Sequence, residues 1–259
     1  MKAFEIMNAL YGLNESVIPN TQDVIKAGDK NKEINKIAVT MFPTVGVIKD
    51  AISWGADLLI THEPLYFNHC DEHSDEQVEN AKRKLVEESN MTIYRYHDYS
   101  HYLVPDVICK GVLDKVNFDG TVEYAGFDCA RIKLNNSTTA KEVAKLLKQK
   151  LNLKNIKICG NCDFESNHIS LVPGAAGWGD LKTFNNTIFI MGEICEWAYA
   201  EYVRDANALG FNKALIILGH VGSEREGMNY ATKILKEIFP SLEIRYFETE
   251  EAIIPLDND

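Results

Sequence analysis

The chain has 259 residues, 46% of them hydrophobic, and a formal net charge of −11. This length suffices for one large or two modest α/β domains, and the acidic balance argues against nucleic acid or an anionic membrane as a partner. No apolar run approaches the ~20 residues of a membrane span, the N-terminus lacks a signal-peptide layout, and the six cysteines form no dense disulfide framework. We therefore expect a soluble cytoplasmic protein.

Helical and strand patterns alternate through the first half of the chain. A short apolar strand ends at His62-Glu63-Pro64 and follows a helix for which Thr44 is the expected N-cap. With the strand before that helix, this makes a β-α-β unit, which implies a parallel strand pair joined by a right-handed crossover. The other predicted elements are a helix at 1–17, a loop at 19–35 with room for a short edge strand, a surface helix at 75–89 and a strand at 91–96.

The alternation breaks around residues 120–126, which we take as a domain boundary. The prediction is two similar α/β domains, 1–125 and 126–259, with mixed, largely parallel sheets and a metal site at strand carboxyl ends between them. In an alternative arrangement, the C-terminal part of the chain packs back on the first domain. In the second half we predict strands at 130–134, 155–159, 168–172, 187–191, 213–218 and 243–247, and helices at 139–151, 196–209 and 226–238.

The chain has only seven histidines, yet histidines occur at the predicted carboxyl ends of three strands. The residues concerned are His62, His97 with His101, and His220. In open α/β sheets this is where sites are assembled. Glu63 adds a carboxylate beside His62, and we expect a strand-to-helix turn to aim His220 and Glu224 at a common centre. Either motif alone more often represents a surface His beside a capping Glu, but their coincidence favours a shared site.

Other motifs carry less weight. Cys159 and Cys162 have CxxC spacing without a second pair, so two ordinary thiols are the better interpretation. The loop 174–177 lacks a full phosphate-binding pattern and is interpreted as a tight turn. His69 and His73 are interpreted as incidental loop residues, with a lid role as the alternative. Glu193 and Glu196 are interpreted as carboxylates that stabilise the helix after them by interacting with the positive end of its dipole.

Taken together, these segments resemble the dinuclear-metal family called NGG-one-interacting factor three, some members of which are named GTP cyclohydrolase I type 2. The resemblance spans nearly the whole chain. It rests on the helix and strand at 47–60 that precede His-x-Pro-Leu, and on His97 with a ligand position four residues later. Gly192-Glu193 before a long helix also matches, and the most specific motif is Gly219-His220-x-x-Ser223-Glu224.

The resemblance implies five ligands for two divalent ions: His62, Glu63, His101, His220 and Glu224. Glu63 stands where the family pattern has a second His, and His101 where it has an Asp. Because three imidazoles and two carboxylates remain, we interpret this as a compensated swap. Imidazole cannot bridge two ions, so either Glu63 or Glu224 bridges or the site holds one ion. This mixed nitrogen and oxygen set suits Zn, Fe, Mn or Ni.

Such a pair of ions implies metal-dependent hydrolysis of a small substrate, with nucleotides and amides as the candidate classes. His97 and Asp98 are the candidate catalytic residues, orienting a ligand or carrying a proton; the alternatives are a buried structural His and a solvated carboxylate. A metal-stabilised regulatory or scaffold protein without catalysis also fits the pattern, and so does a chain whose substitutions have abolished metal binding. No residue pattern recognises guanine, so the substrate stays open.

The resemblance also implies a ring-like homo-oligomer, commonly a hexamer. Light scattering on the purified protein is therefore expected to give about six times the chain mass of 29.2 kDa. A monomeric mass would contradict this expectation.

Overall fold

The computed structural model describes residues 1–126 and 128–256 and shows a mixed α/β protein. Its chain forms two compact units, each of which contains one β-sheet. The first unit comprises Met1–Leu103 and Met228–Thr249, and the second comprises Val104–Gly227 and the residues from Glu250 onwards. The predicted fold class, mixed α/β with two mixed sheets, is confirmed.

The first unit contains a five-stranded sheet in the order β1-β4-β3-β2-β11. Strands β4, β3, β2 and β11 are parallel, and β1 is an antiparallel edge strand on β4. Its elements are α1 (Ala3–Tyr11), β1 (Ile25–Ala27), β2 (Lys36–Thr40), α2 (Val45–Trp54), β3 (Leu58–Thr61), α3 (Gln77–Ser89), β4 (Thr92–Arg95), α4 (Asp98–His101) and, late in the chain, β11 (Glu243–Tyr246).

The β2-α2-β3 unit follows the local signals in the sequence. The Thr44 side chain accepts a hydrogen bond from the Val47 amide at 3.2 Å, as expected of an N-cap. Gly55 ends α2 in the left-handed conformation, with φ of 81°. All four residues of β3 are buried, as expected of a central strand in a parallel sheet covered on both faces. The chain therefore delivers His62 directly at the carboxyl edge of the sheet.

The second unit contains a six-stranded sheet in the order β5-β6-β8-β9-β10-β7. Only its centre is parallel (β8 with β9, and β9 with β10), so this sheet has more antiparallel pairing than the largely parallel arrangement predicted. Its elements are α5 (Val107–Val116), β5 (Gly120–Tyr124), β6 (Ala130–Thr139), α6 (Ala140–Lys150), β7 (Lys157–Gly160), β8 (Glu165–Val172), a 3-10 helix (Gly179–Lys182), β9 (Thr187–Met191), α7 (Glu196–Ala208) and β10 (Lys213–Ile217).

The centre of this second sheet is buried on both faces, as strand β9 shows. Ile188 and Ile190 join the cluster formed with α5 and α6, whereas Phe189 and Met191 join a second cluster that includes Val203 of α7. Successive side chains of a strand point to opposite faces, so one continuous apolar run supplies two cores. Because α5 contributes to the first of these cores, the compact units divide between residues 103 and 104.

Helix α8 (His220–Ile238) begins in the second unit and ends in the first. It starts six residues before the predicted helix at 226–238, because the Ser223 amide already donates to the Gly219 carbonyl at 3.0 Å. The early start of α8 could not be predicted from the sequence, because Gly222 and Ser223 are residues typical of turns. Among the described residues, no helix is both long and apolar enough to cross a membrane.

Candidate metal centre

Three imidazoles meet in the first unit: those of His62, His97 and His101. One potential ligand atom from each lies within 4.8 Å of the other two. The rings of His62 and His97 are stacked with centroids 4.5 Å apart, and the His101 ring meets each of them edge-on at 5.0 Å. These histidines were expected to converge because each follows the carboxyl end of a predicted strand, and the structure brings these three together at the ends of the neighbouring parallel strands β3 and β4.

His62 is the most enclosed member of the trio, with 0% of its surface exposed. Its Nδ1 lies 3.1 Å from the Tyr96 carbonyl, which can only accept a hydrogen bond, so Nδ1 carries the proton and Nε2 bears the lone pair. Burial lowers the pKa of His62 well below its usual value, and the neighbouring His97 and His101 lower it further. The ring is thus held neutral, in the state in which an imidazole binds a metal.

His97 and His101 are held by the short helix α4, which the sequence analysis did not predict as a separate element. His101 lies one turn after His97, and its amide donates to the His97 carbonyl at 3.3 Å. A helix of four residues is too short to be stable by itself. Asp23, on the loop before β1, stabilises this helix. Its carboxylate accepts hydrogen bonds, each of 2.9 Å, from the backbone N–H groups of His97, Asp98 and Tyr99.

The Asp98 side chain binds the same loop that carries Asp23, and it also orients the His97 ring. Its Oδ2 accepts hydrogen bonds from the Thr21 hydroxyl at 2.7 Å and the Gln22 amide at 3.1 Å. Its Oδ1 lies 2.9 Å from Nδ1 of His97. Burial by itself would raise the pKa of Asp98, but the hydrogen bonds from His97, Thr21 and Gln22 outweigh it and lower the pKa. Asp98 is therefore an ionised carboxylate directed at an imidazole.

Glu63 adds a carboxylate to the same edge of the sheet. It is 7% exposed, and one of its oxygens lies within 4.8 Å of a ring nitrogen of His62. Its backbone is held independently of the side chain, since its amide donates to the Met41 carbonyl at 2.9 Å and its carbonyl accepts from the Thr61 hydroxyl at 3.0 Å. One strand end thus places an imidazole and a carboxylate next to each other.

Arg95 connects this strand end to the loop that carries His69. The guanidinium is fully buried, and it donates to the His62 carbonyl at 3.1 Å and to the His69 carbonyl at 2.6 Å. Asp71, 3.6 Å away, balances its charge. The His69 ring lies 6.2 Å from that of His97, so the loop borders the imidazole cluster. Sequence reasoning missed Arg95, because a charged residue inside a buried strand gives no local sign of its partners.

The second unit brings His220 and Glu224 together. Nε2 of His220 lies 3.2 Å from the Glu224 carboxylate, and Nδ1 lies 3.4 Å from that of Glu193. The two motif residues are neighbours on one helical turn of α8, so the expected reversal of the chain at a turn is not the cause. Glu196 points elsewhere: it pairs with Lys157 at 2.9 Å on the surface.

Backbone packing in the second unit explains the glycines around this pair. A Cβ on Gly174, where φ is +61°, would lie 2.2 Å from a Glu224 carboxylate oxygen, and one on Gly192 would lie 2.4 Å from the Gly174 carbonyl. The Ser223 hydroxyl accepts from the Gly174 amide at 3.0 Å and donates to the His220 carbonyl at 2.8 Å. Residues 174–177 therefore form more than a simple turn, because this loop packs directly against the Glu224 side chain.

The donors of each unit, taken separately, are of the kind that binds divalent transition metals. Each unit offers imidazole nitrogens and carboxylate oxygens, and a carboxylate beside His97 in the first unit and beside His220 in the second can orient the ring. His62, His101 and Glu224 are almost fully buried, whereas the side chains of His97 and His220 are 19% and 20% exposed. Cys159 and Cys162 are free thiols that form no disulfide with each other.

Comparison with known proteins gives consistent matches over nearly the whole chain. The family model described as Duf34/NIF3 (NGG1p interacting factor 3) matches residues 20–252. A Clostridium perfringens protein named GTP cyclohydrolase 1 type 2 homolog is 25% identical, over 90% of this chain and 89% of its own. A homolog of the same name from Clostridium acetobutylicum is 23% identical, over 77% of this chain and 76% of its own.

Solved structures share the fold at low identity. A Bacillus cereus protein related to NIF3 superposes with a TM-score of 0.79 at 14% identity, covering 99% of both chains. Reduced HcgD from Methanocaldococcus jannaschii gives a TM-score of 0.73 at 19% identity, covering 95% of this chain and 97% of its own. Since the family model spans most of the sequence, the chain belongs to the Duf34/NIF3 family.

Proposed function

We propose that this protein binds two divalent transition-metal ions, of Zn, Fe, Mn or Ni, and hydrolyses a small substrate with their help. The proposed ligands are His62, Glu63 and His101 from the first unit and His220 and Glu224 from the second. Assigning both groups to one two-ion centre rests on the resemblance of the sequence motifs to those of the family. The observation that supports metal binding most directly is the imidazole cluster within the first unit.

The residues of the chain have distinct tasks in this proposal. Bound ions would supply Lewis acidity, lowering the pKa of a water molecule and polarising a substrate oxygen. The Tyr96 carbonyl holds His62 in the tautomer that presents Nε2. Asp98 holds the ring of His97, and Glu193 is placed to do the same for His220. The partial exposure of His97 and His220 would let a small substrate or a proton reach the ligands.

A regulatory or scaffold protein is the second candidate, and the burial of the ligands favours it. His62 is 0% exposed and His101 2% exposed, as is common where ions stabilise a fold. Closed coordination shells would support this role, whereas a position open to exogenous anions would support the hydrolase. Azide binding to the cobalt-loaded protein, followed in the visible spectrum, separates the two candidates.

The proposed function is tested by metal content and by activity. Elemental analysis after expression with metals supplied is expected to find close to two transition-metal ions per chain. Metal-loaded protein is then expected to hydrolyse at least one member of a panel of nucleotides, cyclic amides and esters, with His220→Ala as the inactive control. Finding no bound metal would contradict the proposal, and two bound ions without any turnover would favour the scaffold.

The curated relatives are named for GTP cyclohydrolase, which makes purine nucleotides a reasonable first class for the panel. The homohexamer and the cytoplasmic location also stay predictions from the sequence.

A further inference from the structure

We propose that the first unit binds one of the metal ions through three imidazoles, with His97 as a direct ligand beside His62 and His101. This inference rests on the proposed function and deepens it. It changes the expected role of His97, which the sequence analysis treated as a proton carrier or an orienting residue, and it keeps Asp98 as the residue that positions the His97 ring.

The first argument is the geometry of the trio. Nitrogen ligands around one tetrahedral ion stand about 3.4 Å apart, given metal–nitrogen distances of ~2.0–2.1 Å. The ligand atoms of His62, His97 and His101 lie within 4.8 Å of one another, which approaches this spacing. A proton carrier would have no need to stack at 4.5 Å on an enclosed ligand such as His62.

The second argument is the hydrogen bonding of the rings, which is independent of their spacing. A metal-binding His typically gives its other ring N–H to a carboxylate or a backbone carbonyl. His62 does so to the Tyr96 carbonyl, and Nδ1 of His97 faces the Asp98 carboxylate at 2.9 Å. In both rings Nδ1 is occupied in this way, which leaves Nε2 as the nitrogen for the ion. Asp98 is itself fixed by Thr21 and Gln22 and cannot swing away at low cost.

A three-imidazole site also explains why residue 101 is a histidine. Where the family pattern has Asp, this chain has an imidazole on the same helical turn as His97. That change turns a mixed set into an all-nitrogen one, with three neutral ligands and a fourth position for water or substrate, as in catalytic zinc sites. The carboxylate of Glu63 is then left as a ligand for the second ion.

The test uses the full chain with the second-unit ligands removed. In His220→Ala/Glu224→Gln, the three-imidazole site is expected to retain one Co²⁺ per chain, with the intense visible absorption of a four-coordinate ion. On this background, His97→Ala and His97→Gln are expected to weaken Co²⁺ binding more than ~100-fold and to abolish that spectrum. Asp98→Asn is expected to weaken binding about 10- to 100-fold and to shift the absorption bands. His73→Ala, an exposed imidazole of the same unit, is the matched control.

The outcomes separate this inference from the proposed function. Wild-type protein that binds no metal would defeat the proposed function and the inference together. Wild-type protein that binds two ions, while the His97 variants retain the affinity and spectrum of the His73 control, would overturn the inference alone. Metal-free circular dichroism and urea unfolding identify any variant that has failed to fold, and the two His97 substitutions of different size guard against a packing effect.

Discussion

Glu63→His alone is expected to reduce the bound metal from about two ions to one and to weaken the remaining overall affinity at least ~10-fold, which corresponds to about 1.4 kcal/mol. The change leaves only one of the two proposed carboxylate ligands, Glu224, so less negative charge offsets the two dications. The backbone of residue 63 should stay in place, because its hydrogen bonds to Met41 and Thr61 do not involve the side chain. Competition with a chromophoric chelator measures the affinity, and elemental analysis measures the stoichiometry.

Combining Glu63→His with His101→Asp is expected to restore two ions, because the pair recreates the family pattern with its three imidazoles and two carboxylates. His101→Asp alone should lose metal, since it breaks the imidazole trio and adds a buried carboxylate. The double-mutant cycle should therefore show a favourable coupling of at least ~1.4 kcal/mol. Glu72→His, on an exposed loop, is the matched control. If Glu63→His alone binds metal better than wild type, the compensated swap is wrong.

Asp23→Ala is expected to lower the free energy of unfolding by about 3 kcal/mol or more in metal-free protein. The carboxylate is fully buried and accepts three backbone N–H groups at the start of α4. Each donor left unsatisfied by its loss costs roughly 1–3 kcal/mol if it stays buried. Since α4 holds His97 and His101, the variant should also bind Co²⁺ more weakly than wild type. Urea unfolding and metal titration measure the two effects.

Two comparisons make the Asp23 result specific. Asp23→Asn keeps one side-chain oxygen as an acceptor and should lose less stability than Asp23→Ala. Asp50→Ala removes an exposed carboxylate from α2 of the same unit and should change the unfolding free energy by no more than ~0.5 kcal/mol. Equal stability of Asp23→Ala and Asp50→Ala would show that the cap contributes little to α4.

Local sequence signals were sufficient for most of the fold. The β2-α2-β3 unit, the N-cap at Thr44 and strand β9 all lie where periodicity and capping residues predict them. These features depend on side chains a few residues apart, and such contacts leave a pattern along the chain. The helix α4 and the early start of α8 were missed, because one is stabilised by the distant Asp23 and the other begins with residues typical of turns.

For the candidate site, the sequence by itself was enough to select the candidate residues: His62, Glu63 and His97 with His101 follow strands whose carboxyl ends share one edge, and His220 with Glu224 forms a motif that resembles the family's. Only the tertiary structure decided how they are held. Asp23 and Arg95 act across long stretches of chain, and the stacking of His97 on His62 joins two different strand ends. Pairings between segments distant in sequence have no local pattern, so they become visible only when the sheet brings those segments together.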